Sequence, residues 1–287
     1  MAKARAITKR RKAVTNIRKI TSTMQLIATA RFQKCLQRAA ASKPYTQKLT
    51  EMISAVAGAG TAEHPLLQPS ISKTSVMLVI TSNRGLCGGY NSQVLRAALE
   101  RRKQLLAEGL APEIEIVGKK GIASLRFLKI ATTQQITDVE DRIAYERVAR
   151  MAEGYMQRYI NGQVGRIDVA YTRFNSISSQ KATVVQLLPI EPPSADNQGK
   201  QRREFEFSPP PEQLLAKLIP ETVKIRLYQY FNDSIVSEQV ARMIAMKQAT
   251  DSAGDMIKNL TREYNRARQS QITMELLDIV GGANAIS

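Results

Sequence analysis

The sequence predicts two parts: a long antiparallel two-helix coiled coil formed by the N- and C-terminal helices, and an inserted α/β domain with a mostly parallel sheet. Three observations carry this. Both chain ends place apolar residues at steps of three and four, the middle alternates short β-branched runs with helical patterns, and the net charge of +17 is concentrated at one end. The expected boundaries are 1–58 for the N-terminal helix, 72–207 for the α/β domain and 212–287 for the C-terminal helix.

The N-terminal helix is read from residues 3–57. Its stretch "RKITSTMQLIATARFQK" (18–34) is apolar on one side and basic at its ends, and no acid precedes Glu51. The first 50 residues hold 13 Lys and Arg without an Asp or Glu, and so carry 13 of the +17. Such a segment implies an acidic partner, whether nucleic acid, anionic lipid or an acidic protein surface. Apolar residues recur at Ala13, Ile17, Ile20, Met24 and Ile27, then Phe32, Leu36, Leu49, Ile53 and Val56. The first set alternates steps of four and three, the spacing of a seam that grips another helix. Pro44 bends the helix without ending it, and "GAGTAEHP" ends it. An acid-free, Arg-rich start also describes a transit peptide, but this pattern runs well past the usual processing length. "MAKARAITKRRKAV" lacks the apolar core of a secretory signal.

In the middle, "SVMLVITS" (75–82), "EIEIVG" (113–118), "RIDVAYTRF" (166–174) and "KATVVQLLPI" (181–190) read as strands. Helical patterns fall at 92–106, 121–127 and 141–160. This alternation implies a Rossmann-like sheet covered by helices. "EPPSADNQGKQRR" (191–203) reads as a polar surface loop.

From Glu221 onward there is no proline, and a seam runs through Met243, Met246, Thr250, Ala253, Ile257, Leu260, Tyr264, Ala267, Gln271 and Met274 without a slip. A helix of that length needs a partner helix along it, and the N-terminal one is the only candidate. An ordinary helical core is the alternative, and it has trouble with the length. "MELLDIVGGANAI" becomes more apolar where a solvated helix would fray, as expected of a tip enclosed by another chain rather than folded back on its own domain.

Chemistry is sparse. With His64 as the single histidine, a His-based metal cluster or a serine-type triad is nearly excluded, and no paired acids suggest general acid–base work. Asp138, Glu140 and Asp141 read as start signals for the following helix. "TSNRGLCGGYN" (81–91) sits between strand and helix, where phosphates are often held. Its glycines fit neither the P-loop nor G-x-G-x-x-G, and a tight turn explains them. Cys87 has no histidine within its motif to act as a nucleophile's base. The two cysteines are too few for a disulfide framework. No segment approaches the roughly 20 apolar residues of a membrane span.

"RKITSTMQLIATARFQK", "ASKPY", "TSNRGLCGGYN", "SEQVARMIAMKQATDSAGDMI" and "YNRARQSQITMELLDIVGGA", in this order, closely resemble the gamma subunits of rotary F-type ATP synthases. The resemblance spans essentially the whole chain, more loosely between 119 and 203. It implies a central rotor shaft that turns inside three alpha and three beta subunits, with the epsilon subunit and the membrane ring of c subunits at its foot. Rotation of the c-ring would reach the catalytic subunits through it, making ATP from ADP under a proton gradient and regulating ATPase activity and proton flow. The acidic partner would be a lever on the beta subunits. Met24 matches the position beside that lever, and the loop around Cys87 lies near it. Arg242, Gln269, Thr273 and Glu275 match positions where the C-terminal helix engages the alpha and beta subunits. Glu204, Phe205 and Glu206 correspond to the foot region near epsilon and the c-ring, where the local sequence departs from the family's pattern. The resemblance implies no catalytic residue, cofactor or metal on this chain. It implies peripheral, indirect membrane association at the cytoplasmic face of a bacterial inner membrane. The chloroplast version's regulatory cysteine pair is missing, since no cysteine follows Cys87. A basic coiled-coil protein that binds nucleic acid is the alternative function, and a nucleotide-dependent enzyme built on the α/β domain a further one.

Overall fold

The computed structural model describes residues 2–57, 64–190 and 211–284. The elements run α1 (Ala2–Ala57), β1 (Thr74–Ile80), α2 (Tyr90–Ala107), β2 (Ala111–Val117), α3 (Lys119–Phe127), β3 (Gln134–Ile136), α4 (Tyr145–Ile160), β4 (Arg166–Ser176), β5 (Ser179–Leu188) and α5 (Pro211–Asn284). Helix α1 passes through Pro44 without interruption. Helix α5 begins before the proline-free stretch and contains Pro220. The chain forms two compact units, 1–29 with 242–287, and 30–241, so both divisions fall inside a long helix rather than in a loop.

In the larger unit the sheet order is β3-β2-β1-β4-β5. Strands β1 to β4 pair in parallel, whereas β5 returns antiparallel to β4. Successive side chains point to opposite faces, and the two faces have different covers. Met77, Val79, Ile114, Ile116 and Ala170 pack with Val94, Leu95, Ala98 and Leu105 of α2 and Ile122 and Leu125 of α3. On the other face Tyr155 of α4 donates to Glu115 at 2.6 Å, and Tyr230 of α5 stacks on Tyr171 with ring centroids 4.5 Å apart. The α5 stretch from Ile219 to Val240 supplies eight buried apolar side chains, Phe231 and Val236 among them. A helix apolar nearly all round is a core helix. This half of α5, expected as part of a paired helix, is therefore the lid of the α/β core. From α1, Phe32 reaches Phe174 of β4 at 6.2 Å.

Two expectations are corrected here. The short edge strand β3 was not foreseen, because three residues are too few to show alternation. Helix α4 starts at Tyr145 rather than 141, and the residue before it, Ala144, makes no side-chain cap. Asp141 serves the tertiary structure instead: its carboxylate accepts from Arg31 of α1 and from Gln239 of α5, the latter at 2.9 Å.

Burial leaves a titratable signature. The Tyr230 hydroxyl is pushed up to about 12, by desolvation first and then by neighbouring Tyr171. Burial also raises Tyr171, and it carries Tyr155 well above the usual range with Glu115 adding to the effect. A phenol raised on folding stabilises fully below its unfolded pKa of about 10, and that contribution is lost as pH rises through the folded value. Stability is expected to be insensitive to these groups up to about pH 10 and to fall above it. Burial raises Tyr159 as well, so in a phenolate absorbance titration four of the nine tyrosines should ionise late. All nine ionising together near pH 10 would contradict the packing.

Candidate interaction surface

The smaller unit is an antiparallel helix pair. Its core is Val14 with Ala253 and Leu260, flanked by Ile7 and Ile257. Thr250 donates to Thr21 at 2.8 Å, Arg18 lies against Gly254, and Arg11 sits 5.3 Å above the Tyr264 ring. As the α1 numbers rise from 11 to 21, their partners fall from 264 to 250, which fixes the antiparallel sense. The α5 seam is the one the sequence predicts through Gln271, with Met246, Ala253 and Leu260 buried. Met274, its last expected member, is exposed.

The α1 seam is not the predicted one. Val14, Ala28, Phe32, Cys35 and Ala39 are buried, whereas Ile17, Ile20, Met24 and Ile27 are exposed, at 52%, 55%, 36% and 48%. The seam is offset by one residue, about 100° around the helix. Small side chains explain the choice. The seam is lined by Thr21 and Ala28 on α1 and by Thr250, Ala253 and Gly254 on α5, which occupy less room than a row of isoleucines would. The displaced aliphatics form an outward stripe at 17, 20, 24 and 27, still stepping by three and four. Such a stripe on the outside of a helix pair has the spacing of an interface with another chain. Lys12 and Lys19 are exposed beside it.

A second apolar surface closes α5. Ile272, Met274, Leu276, Leu277, Ile279 and Val280 are all exposed. Between Arg242 and Asn284 the helix rises on the order of 65 Å. Gln269, Thr273 and Glu275 lie exposed on this end. Thr273 donates to the Gln269 carbonyl at 3.0 Å, and Glu275 accepts from Gln271 at 2.8 Å. Arg242 is half-buried at the start of the unit. Met24 sits on the outward stripe of α1.

The loop 81–89, in the larger unit, follows β1 where the strand order reverses. In α/β sheets that is the usual ligand crevice. Here it is closed by the chain's own hydrogen bonds. Thr81 donates to the Val117 carbonyl at 2.5 Å, Asn83 to the carbonyls of Thr137 and Val139, and the Ser82 amide to Asn91. A side chain at Gly118, whose φ is +99°, would meet the Thr81 carbonyl at 2.4 Å. Cys87 is 2% exposed, and its Sγ accepts from Asn91 at 3.3 Å. The loop's outward apolar group is Leu86, held at a φ of 63°. Glu204, Phe205 and Glu206 lie outside the described residues.

This geometry defines a class, a helical stalk protein with an internal seam of small residues and large aliphatics turned outward. A family model described as ATP synthase matches residues 3–286. The ATP synthase gamma chain of Rhodopirellula baltica is 49% identical over 294 residues, covering 100% of this chain and 99% of that one. The gamma chain of Leptospira biflexa is 36% identical over 289 residues and is covered in full. Among solved structures, a chain of the Euglena gracilis mitochondrial ATP synthase, in an assembly of OSCP, F1 and c-ring, matches with a TM-score of 0.68 at 18% identity over 99% of this chain and 95% of that one. A rotor chain of the same enzyme gives 0.64 at 16% identity, covering 94% and 99%. The chain belongs to the ATP synthase gamma chain family.

Proposed function

We propose that this chain transmits rotation of a membrane c-ring to three alpha and three beta subunits and catalyses nothing itself. The observation that carries this is the outward stripe Ile17, Ile20, Met24 and Ile27 on a helix pair whose seam is already filled. The stripe meets the acidic lever of the beta subunits, with the surrounding lysines and arginines attracting the acids. The exposed tip of α5 turns inside the collar of the alpha and beta subunits, where Gln269, Thr273 and Glu275 make polar contacts, and Arg242 engages the same subunits lower on the helix. The loop at Cys87 presents Leu86 to a neighbour while the buried thiol holds its shape. Glu204, Phe205 and Glu206 belong to the foot near epsilon and the c-ring. The functional divisions remain 1–58 and 212–287 for the shaft and 72–207 for the foot.

Coupling follows from asymmetry. One shaft presents different faces to three equivalent subunits, and each face favours a different open or closed state. A shaft can shift those states only by its differential affinity for them, and the effect is reciprocal, so hydrolysis turns it backwards. A proton gradient drives synthesis through the ring, and the same contacts regulate ATPase activity and proton flow. No helix among the described residues is long and apolar enough to cross a membrane. Attachment to the cytoplasmic face of a bacterial inner membrane is through the complex, and no cofactor is required on this chain.

A tagged full-length chain is expected to co-purify alpha and beta subunits. Their absence, with salt-sensitive DNA binding instead, would favour the nucleic-acid reading. Within the assembled enzyme, Met24→Lys adds a cation beside the acidic lever and is expected to lower the protons pumped per ATP hydrolysed. An unchanged ratio would count against the contact.

A further inference from the structure

The segment 137–144 joins β3 to α4 and has no regular structure of its own, yet three elements of the larger unit meet on it. Asn83, in the loop after β1, donates to the Thr137 and Val139 carbonyls at 2.9 and 2.6 Å. The Asp141 carboxylate takes Arg31 of α1 on one oxygen and Gln239 of α5 on the other, the latter at 2.9 Å. The Asp141 carbonyl accepts from Arg38 at 3.4 Å and from the Cys35 thiol at 3.6 Å. Arg31, Cys35 and Arg38 step by four and three, so one face of α1 converges on this residue over two turns. The segment is itself pinned: Ile143 is buried, and Asp138 pairs with Arg147 of α4 at 2.7 Å.

These three elements are the ones that carry the proposed contacts with the alpha and beta subunits. Met24 precedes Arg31 by seven residues in α1, Leu86 shares the loop of Asn83, and Arg242 follows Gln239 by three residues in α5. They are not held equally. Helix α5 is built into the core by the eight buried apolar side chains between Ile219 and Val240. Among the described side chains of α1 in the larger unit, those buried are Phe32, Cys35 and Ala39, and only Phe32 is large. A force on α1 therefore reaches the α/β core through one aromatic contact, Phe32 on Phe174, and through Asp141. The Arg31–Asp141 pair is half-exposed, at 36% and 37%. Such a pair contributes little to stability, so its effect falls on where α1 is held and not on whether the chain folds.

We propose that Asp141 is a positioning residue for torque transfer. It locks α1 to α5 and to the loop after β1, so that a push on the outward stripe of α1 turns the larger unit instead of sliding one helix over it. The inference rests on the rotor reading.

The test uses the assembled enzyme in inverted membrane vesicles and reads protons pumped per ATP hydrolysed, beside the melting temperature of the full-length chain. Asp141→Ala is expected to lower the ratio roughly twofold, the size of effect that a coupling residue outside the contact sites produces. ATP hydrolysis is retained, and the melting temperature stays within about 4 °C of the parent. Arg31→Leu, at a half-exposed position, should lower the ratio in the same direction. Combining it with Asp141→Ala should add no further loss, because both break one tie. Lys224→Gln is the control: it breaks a 2.8 Å ion pair from α5 to Glu153 of α4 that leaves α1 untouched, and the ratio should not change. An unchanged ratio in both Asp141→Ala and Arg31→Leu, losses that add, or an equal loss in Lys224→Gln would overturn the proposal. Failure of the rotor reading itself looks different, since the parent chain would then neither assemble with alpha and beta subunits nor support pumping.

Discussion

Leu260→Asp is expected to unfold the helix pair of the smaller unit, at a cost on the order of 4 kcal/mol. Leu260 is 3% exposed and lies in the cluster of Val14 and Ala253, with Ile7 and Ile257 against it. Replacing it removes the largest apolar group from a narrow seam and sets a carboxylate where no cation is paired among the described cluster residues. Val14, Ala253, Ile7 and Ile257 supply only apolar surface around that position, so the carboxylate finds no polar partner within the cluster. Thermal melting followed by circular dichroism should show helix lost in an early transition, separate from the α/β unit. The control is Leu276→Asp on the same helix, an exposed position where the change should stay within about 0.5 kcal/mol. Equal melting of the two variants would mean the pair is not held by this seam. In the assembled enzyme Leu260→Asp should also abolish ATP-driven rotation, since a frayed helix pair carries no torque.

Arg158→Leu has the second large expected effect, about 3 kcal/mol of destabilisation of the α/β unit. Glu115 is buried at 3% exposure in the middle of β2, where a strand facing α4 would ordinarily carry an aliphatic. Its carboxylate accepts from Arg158 at 2.9 Å and from Tyr155 at 2.6 Å, and Arg158 reaches Glu113 at 2.8 Å with its other nitrogen. Removing the arginine leaves a buried charge with one neutral donor, which is the expensive way to break such a pair. Adding Glu115→Gln keeps an acceptor for the Tyr155 hydroxyl and removes the charge. The double variant should therefore recover most of the loss in denaturant unfolding. If the two substitutions instead add, the residues are not coupled and the network contributes little.

Much of the architecture was legible from pattern alone. The strands at 75–82, 113–118, 166–174 and 181–190 appear within a few residues of those spans, and the α5 seam from Met243 to Gln271 holds position by position. In that half of α5 one face alone is buried, so periodicity and packing carry the same information. The α1 seam differs from the expected one because two stripes with the same spacing lie one residue apart, and the larger side chains of Ile17, Ile20, Met24 and Ile27 belong to the outward one. A signal against it was present. That series breaks with a step of five between Ile27 and Phe32, whereas Ile7, Arg11, Val14, Arg18, Thr21, Gln25, Ala28, Phe32, Cys35 and Ala39 alternate without a slip. Continuity of spacing, not bulk, marks the buried face. The buried placement of Cys87 had no local cue, since Ser82 and Asn91 become its partners only when the turn closes.

By itself the sequence determined the long helices and the four longer strands, the antiparallel pairing of the two ends and the concentration of charge in the first 50 residues, because these depend on composition and on spacings within one helix or strand. The tertiary structure alone decided which stripe of α1 turns inward, that Ile219 to Val240 of α5 covers a sheet, and that Asp141 ties α1 to α5 instead of starting α4. Those choices compare one packed arrangement with another. What settles them is which side chains fit together across a seam and which buried polar group finds a partner, and both are properties of residues far apart in the chain.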